Sequence, residues 1–97
     1  MALETLPFDA AEFLGRPEAQ AELLADAFAS GEAGYIKLAL GTVARAQGMT
    51  ALAEEVGLSR QGLYKALSAE GDPKLSTLVE VARALGFRLT VEPIAAE

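Results

Sequence analysis

Four polar side chains in one short stretch carry the clearest chemistry of this sequence. Arg60, Gln61, Tyr64 and Lys65 pair at i and i+4, so a helix through them presents one ridge. Arg and Gln read base edges bidentately, Arg on guanine and Gln on adenine. Tyr64 and Lys65 suit sugar and phosphate contacts, which fix position rather than sequence. Ser59 precedes the ridge, where its hydroxyl can cap the helix. With Thr50, at the start of the helix before, the candidate DNA-binding set is Thr50, Ser59, Arg60, Gln61, Tyr64 and Lys65.

Such a ridge needs a rigid mount. Two short helices, Thr50–Val56 and Ser59–Leu67, are separated only by Gly57 and Leu58. In a helix-turn-helix the two helices cross steeply over a very short turn. The first helix then needs a small residue at the crossing, and Ala53 stands there. The turn needs a residue that tolerates positive φ, and Gly57 follows four residues later. Leu52, Val56, Leu58, Leu63 and Leu67 can anchor both helices to a core. The bland alternative is an ordinary helical hairpin with a polar face, but the small residue, glycine, cap and basic ridge fall in register.

The remaining elements supply that core. Asp9 can cap a short helix over Ala10–Leu14, after an extended Leu3–Phe8 arm; Gly15 ends it. Pro17 suits the first position of a helix reaching about Ser30, with Ala19, Leu23, Leu24, Ala27 and Phe28 as its apolar stripe. A further helix covers roughly Glu32 to Gln47, burying Ile36, Ala39, Leu40 and Val43. Asp72 with Pro73 opens a last helix to about Leu85, with Leu75, Leu78, Val79, Ala82 and Leu85 inward and Gly86 as its stop. After Gly86 the period changes to alternation, Phe87, Leu89 and Val91 against Arg88, Thr90 and Glu92, which predicts a half-buried strand. A strand needs a partner for its backbone groups: the Leu3–Phe8 arm, or the same strand of a second subunit.

Composition narrows the function. The chain has 97 residues, enough for one domain and one modest core. It contains no cysteine and no histidine, which removes disulfides, the common zinc sites and histidine-based catalysis. The adjacent pair Glu54 and Glu55 points to different helix faces, and no phosphate-binding glycine loop is present, so an enzyme is not expected. No cofactor is implied. No apolar run is long enough to span a bilayer, and the N-terminus lacks a signal-peptide pattern, which implies a cytoplasmic protein away from membranes. The net charge is −6, and residues 1–32 hold all of it. That segment carries Glu4, Asp9, Glu12, Glu18, Glu22, Asp26 and Glu32 against Arg16 alone. Between Lys37 and Lys65, four bases (Lys37, Arg45, Arg60, Lys65) face two acids. The molecule is polarised, with an acidic end and a mildly basic middle. The acidic total supports the competing function: a protein–protein interaction module that keeps the helix-turn-helix frame with little DNA affinity.

The run Arg45–Ser68, then Gly71-Asp72-Pro73 and Ala84-Leu85-Gly86, resembles the addiction-module antidote proteins, as does the opening Pro7-Phe8-Asp9-Ala10-Ala11-Glu12-Phe13-Leu14. These are small antitoxins of the lambda-repressor-like Xre helix-turn-helix group, similar to the HigA antitoxins. The resemblance covers nearly the whole chain. It implies an all-α, lambda-repressor-like bundle of about five to six helices with a short C-terminal β-strand at residues 87–92. It implies one domain over 1–97, with an arm and short helix at 1–16 and the helix-turn-helix at 49–67. It implies a transcriptional repressor of its own operon that neutralises a small basic RNase toxin of the RelE/ParE type. The recognition role passes by resemblance to Arg60, Gln61, Tyr64 and Lys65. A palindromic double-stranded operator and a homodimer are the expected partners, since one recognition helix alone rarely gives enough affinity.

Overall fold

The computed structural model describes residues 15–95. These form five helices and no strand: α1 (Pro17–Ser30), α2 (Ala33–Gln47), α3 (Met49–Val56), α4 (Arg60–Ala66) and α5 (Leu75–Ala84). The expected arm Leu3–Phe8 and short helix Ala10–Leu14 lie outside the described residues.

Local rules account for the first two helices. Pro17 starts α1, where its missing N–H is no loss, and Glu18 in the first turn complements the helix dipole. α1 buries Ala19, Gln20, Leu24 and Ala27; α2 buries Ala39, Leu40, Gly41, Val43 and Ala44. They pack against each other as a hairpin, latched on its outside by the Tyr35 hydroxyl, which donates to Asp26 Oδ2 at 2.6 Å. The small residues Ala27, Ala39 and Ala44 are fully or almost fully buried in the core. Gly31, Gly48 and Gly86 close α1, α2 and α5.

The core sits where all the helices converge. Its largest fully buried side chains are Leu40 and Val43 from α2, Leu63 from α4 and Val81 from α5. Burying each such side chain stabilises the fold by roughly 1.5–3 kcal/mol. One polar contact reaches into it. Gln47 Nε2 donates to Oε1 of the buried Gln20 at 2.8 Å and to the Leu85 carbonyl at 3.0 Å, joining α1, α2 and the end of α5. Among the described residues no buried side-chain nitrogen or oxygen lacks a partner, as a stable interior requires.

The structure corrects the sequence expectations near the C-terminus. The last helix starts at Leu75, not at Asp72–Pro73. Lys37 on α2 explains the delay: its Nζ donates to the carbonyls of Ala69 at 3.0 Å and Gly71 at 2.6 Å. These bonds tie the turn after α4 down, and Lys74 is still extended (φ −65°, ψ 155°) when the helix begins. Gly71 fits only because it has no side chain; a Cβ there would collide with the Lys65 and Ala66 carbonyls. α5 then turns Leu78, Val81, Ala82 and Leu85 towards the core, and Leu75 and Val79, expected inward, are 72% and 38% exposed. The helix is anchored by one line of apolar residues, and the second line is left at the surface.

The predicted strand at residues 87–92 is absent from the described residues. Phe87 and Leu89 are half-buried while Arg88 and Thr90 are exposed, so the alternation survives over that span, but Val91 is 92% exposed. Alternation reports that one side faces the protein. A strand also needs a hydrogen-bonded ladder, and no neighbouring segment among the described residues provides one.

Candidate nucleic-acid interface

The α3–α4 unit is built by three local devices. Gly57 adopts φ 76° and ψ 25°, the left-handed region that a residue with a Cβ rarely enters. The chain then reverses over two bonds: Leu58 N–H donates to the Ala53 carbonyl at 2.9 Å, and Gly57 N–H to the Glu54 carbonyl at 3.3 Å. This paired closure satisfies carbonyls that a helix end leaves orphaned. Ser59 caps α4, its Oγ accepting from Gly62 N–H at 2.9 Å. Ala53 is buried, and Leu52, Leu63 and Leu67 are buried in the same core cluster. Val56 and Leu58 pack on the core from its edge.

α4 is only seven residues long, and Leu63 is its one buried side chain. Gly62 and Ala66 are half-buried. Arg60, Gln61, Tyr64 and Lys65 are all exposed and share this one helix. Arg60 Cζ lies 5.7 Å from the centroid of the Tyr64 ring, one helical turn away. That cation–π contact holds the guanidinium along the ridge and limits its rotamers before any ligand arrives. Ser59 belongs to the same surface, but its Oγ is occupied by the cap. Thr50 is exposed on α3, a separate helix from the other five.

The basic residues divide in two. Arg45, Arg60 and Lys65 are exposed, and Arg45 donates weakly to Thr42 Oγ1 at 3.4 Å. Lys37 spends its ammonium on two backbone carbonyls and acts as a clamp on the turn that follows α4. Sequence spacing could not show this, because the carbonyls lie 32 and 34 residues away. A shallow groove between the C-terminal ends of α3 and α5 is lined by Glu54, Glu55, Glu80 and Arg83. Three acids against one base make this groove locally acidic. Among the described residues, no group of three or more acids could hold a metal ion, and no helix is long and apolar enough to cross a membrane.

Relatives give this architecture a context. The model of a family described as "Probable addiction module antidote protein" matches residues 4–93. A protein of Haemophilus influenzae, described as uncharacterized, is 39% identical over 85 residues, which is 88% of each chain. No solved structure matches. A match over almost the whole length of the chain carries the assignment: the chain belongs to the family of probable addiction module antidote proteins.

Proposed function

We propose that this protein is the antitoxin of a type II toxin–antitoxin module and a sequence-specific repressor of its own operon. It does so with a lambda-repressor-like helix-turn-helix of the HigA and Xre kind. The single observation that carries the DNA part is the α4 ridge: Arg60, Gln61, Tyr64 and Lys65 exposed on one helix behind the Gly57 turn. Arg60 and Gln61 read base edges in the major groove. Tyr64 and Lys65 hold the sugar–phosphate backbone, and Thr50 and Ser59 contact phosphates at the N-termini of α3 and α4.

The toxin part rests on family membership, since an antidote acts against a toxin. The partner we infer is a small basic RNase. The exposed acids Glu18, Glu22 and Asp26 of α1 suit a basic surface, and charge of this kind speeds association more than it tightens binding. Neutralisation and repression need no catalytic group of this chain. The net charge of −6 favours one competing reading, a protein–protein module that keeps the frame with little DNA affinity. Binding to the chain's own promoter as a function of salt separates the two. The repressor binds specifically, with log K falling by about 0.9 per phosphate neutralised for each unit of log salt. The interaction module recovers no promoter DNA even at low salt.

A further inference from the structure

Arg60 breaks a local rule. It is the first residue of α4, where the helix dipole favours an acid, and the first turn of α4 holds no acid. Its guanidinium makes no hydrogen bond or ion pair among the described residues. What it meets is the ring of Tyr64: Cζ stands over the ring, 5.7 Å from its centroid. A helical side chain leans back towards the N-terminus, so the residue at i+4 reaches the one at i. Tyr64 is 38% exposed, with more than half of it covered. The ring is a seated platform rather than a free arm.

We propose that Tyr64 is a positioning residue for guanine readout, its ring presetting the Arg60 guanidinium. A cation–π contact engages the flat face of the cation. The N–H donors of a guanidinium lie in its plane, so stacking leaves the fork free for O6 and N7 of a guanine. A long side chain gives up rotamer freedom when it binds, and a stacked one has given up part of it beforehand. The stack also offsets the unfavourable seat of a cation at the start of α4. Ring and hydroxyl then do separate work. The hydroxyl is left for the sugar–phosphate backbone, and the ring serves a base contact that Tyr64 does not itself make.

The proposal rests on the repressor reading for its ligand, and it adds a rule. The site read by α4 holds a guanine whose recognition depends on the Tyr64 ring. A residue that only clamps phosphate weakens binding to every sequence alike. A residue that positions Arg60 lowers the preference for guanine over other bases at one position and leaves the other positions alone. The two roles are therefore separable by specificity, whatever the total affinity.

Two measurements on the full chain test it. The first titrates its own promoter and copies with each base pair changed in turn. Arg60→Ala locates the guanine, as the position where discrimination disappears. Tyr64→Leu should lose about fivefold of the preference there and none elsewhere. Tyr64→Phe, which keeps the ring and drops the hydroxyl, should retain the preference. In the Arg60→Ala background, Tyr64→Leu should change nothing further at that position. Tyr64 lies outside the core cluster, so an unchanged melting temperature is expected of both Tyr64 variants. The second measurement is nuclear magnetic resonance without DNA. The ring current should shift the Arg60 side-chain protons upfield in the wild type and in Tyr64→Phe, and not in Tyr64→Leu. Unshifted protons in the wild type overturn the proposal. So does a Tyr64→Phe chain that loses the preference as Tyr64→Leu does, a Tyr64→Leu chain weakened evenly at all positions, or an Arg60→Ala chain that discriminates as before. A wild type with shifted protons that binds no promoter DNA marks a different failure, that of the repressor reading, and the guanine falls with it.

Discussion

α4 and α5 are neighbours in the chain, and they use their surfaces in opposite ways. α4 buries one side chain, Leu63, and turns an Arg, a Gln, a Tyr and a Lys outward. α5 buries Val81 and Ala82 and turns Leu75 and Val79 outward. A helix with so little buried surface does not hold its place by packing alone; Gly57, the Ser59 cap and the Lys37 clamp hold it at both ends. α5 is held by packing and still has apolar surface left over. An outward polar ridge on a braced helix suits a charged ligand, and an outward apolar line suits another protein.

The largest effect should come from removing what seats α4. Leu63→Ala leaves a cavity under a helix with no other buried side chain and should destabilise the protein by about 2–5 kcal/mol. Gly57→Val should act on the same unit from the other end, because a β-branched residue at φ 76° is severely strained. Thermal melts of both variants check this. An unchanged melting temperature in Gly57→Val means that the turn does not brace α4.

Changes to the ridge should spare the fold and strike the ligand. Arg60→Ala should cost roughly 1–3 kcal/mol of operator binding and relax specificity at one base position, read by titrating a panel of singly substituted operators. A melting temperature equal to the wild type separates this from the effect of Leu63→Ala. The acidic face of α1 offers a smaller effect. Reversing Glu18, Glu22 and Asp26 to Lys should slow association with a basic toxin, and the loss should shrink as salt screens the charges. Stopped-flow association rates at two ionic strengths decide it, and unchanged rates reduce the segment to a solvated face.

The sequence made α3 and α4 legible because their rules are local. The αL glycine, the Ser59 cap and the i, i+4 ridge each sit within a few residues of what they act on. Charge polarity was equally readable, being a count along the chain. The end of the molecule was not. The start of α5 depends on Lys37, far away in sequence, and an apolar residue at helical spacing does not say which of two faces the core will take. The alternation after Gly86 reported a side facing the protein, and it said nothing about whether a ladder partner exists. Of the candidate site residues, Arg60, Gln61, Tyr64 and Lys65 share one exposed helix, and Ser59 caps it. Thr50 stands on α3, and its part in binding is a proposal.

The smallest effect belongs to the latch between α1 and α2. The hydrogen bond to the Asp26 carboxylate raises the Tyr35 hydroxyl above its ordinary value of 10.0, with desolvation and the carboxylate charge adding to the shift. A raised value in the folded state means the latch contributes fully below pH 10 and is lost as pH rises through the shifted value. Tyr35→Phe should therefore change stability little at neutral pH and flatten its decline in alkali. Tyrosinate absorbance during an alkaline titration checks it: the component missing from the variant should be one that rises above pH 10.

If the α4 ridge reads DNA, promoter binding must depend on Lys65. Equilibrium binding of the wild type and of Lys65→Ala to the chain's own promoter, across a range of salt, tests it most directly. A specific complex whose affinity falls with salt is expected. Lys65→Ala should weaken it evenly across operator sequences and reduce the salt slope by about one. No complex at low salt, or a complex whose strength and slope ignore Lys65→Ala, would contradict it.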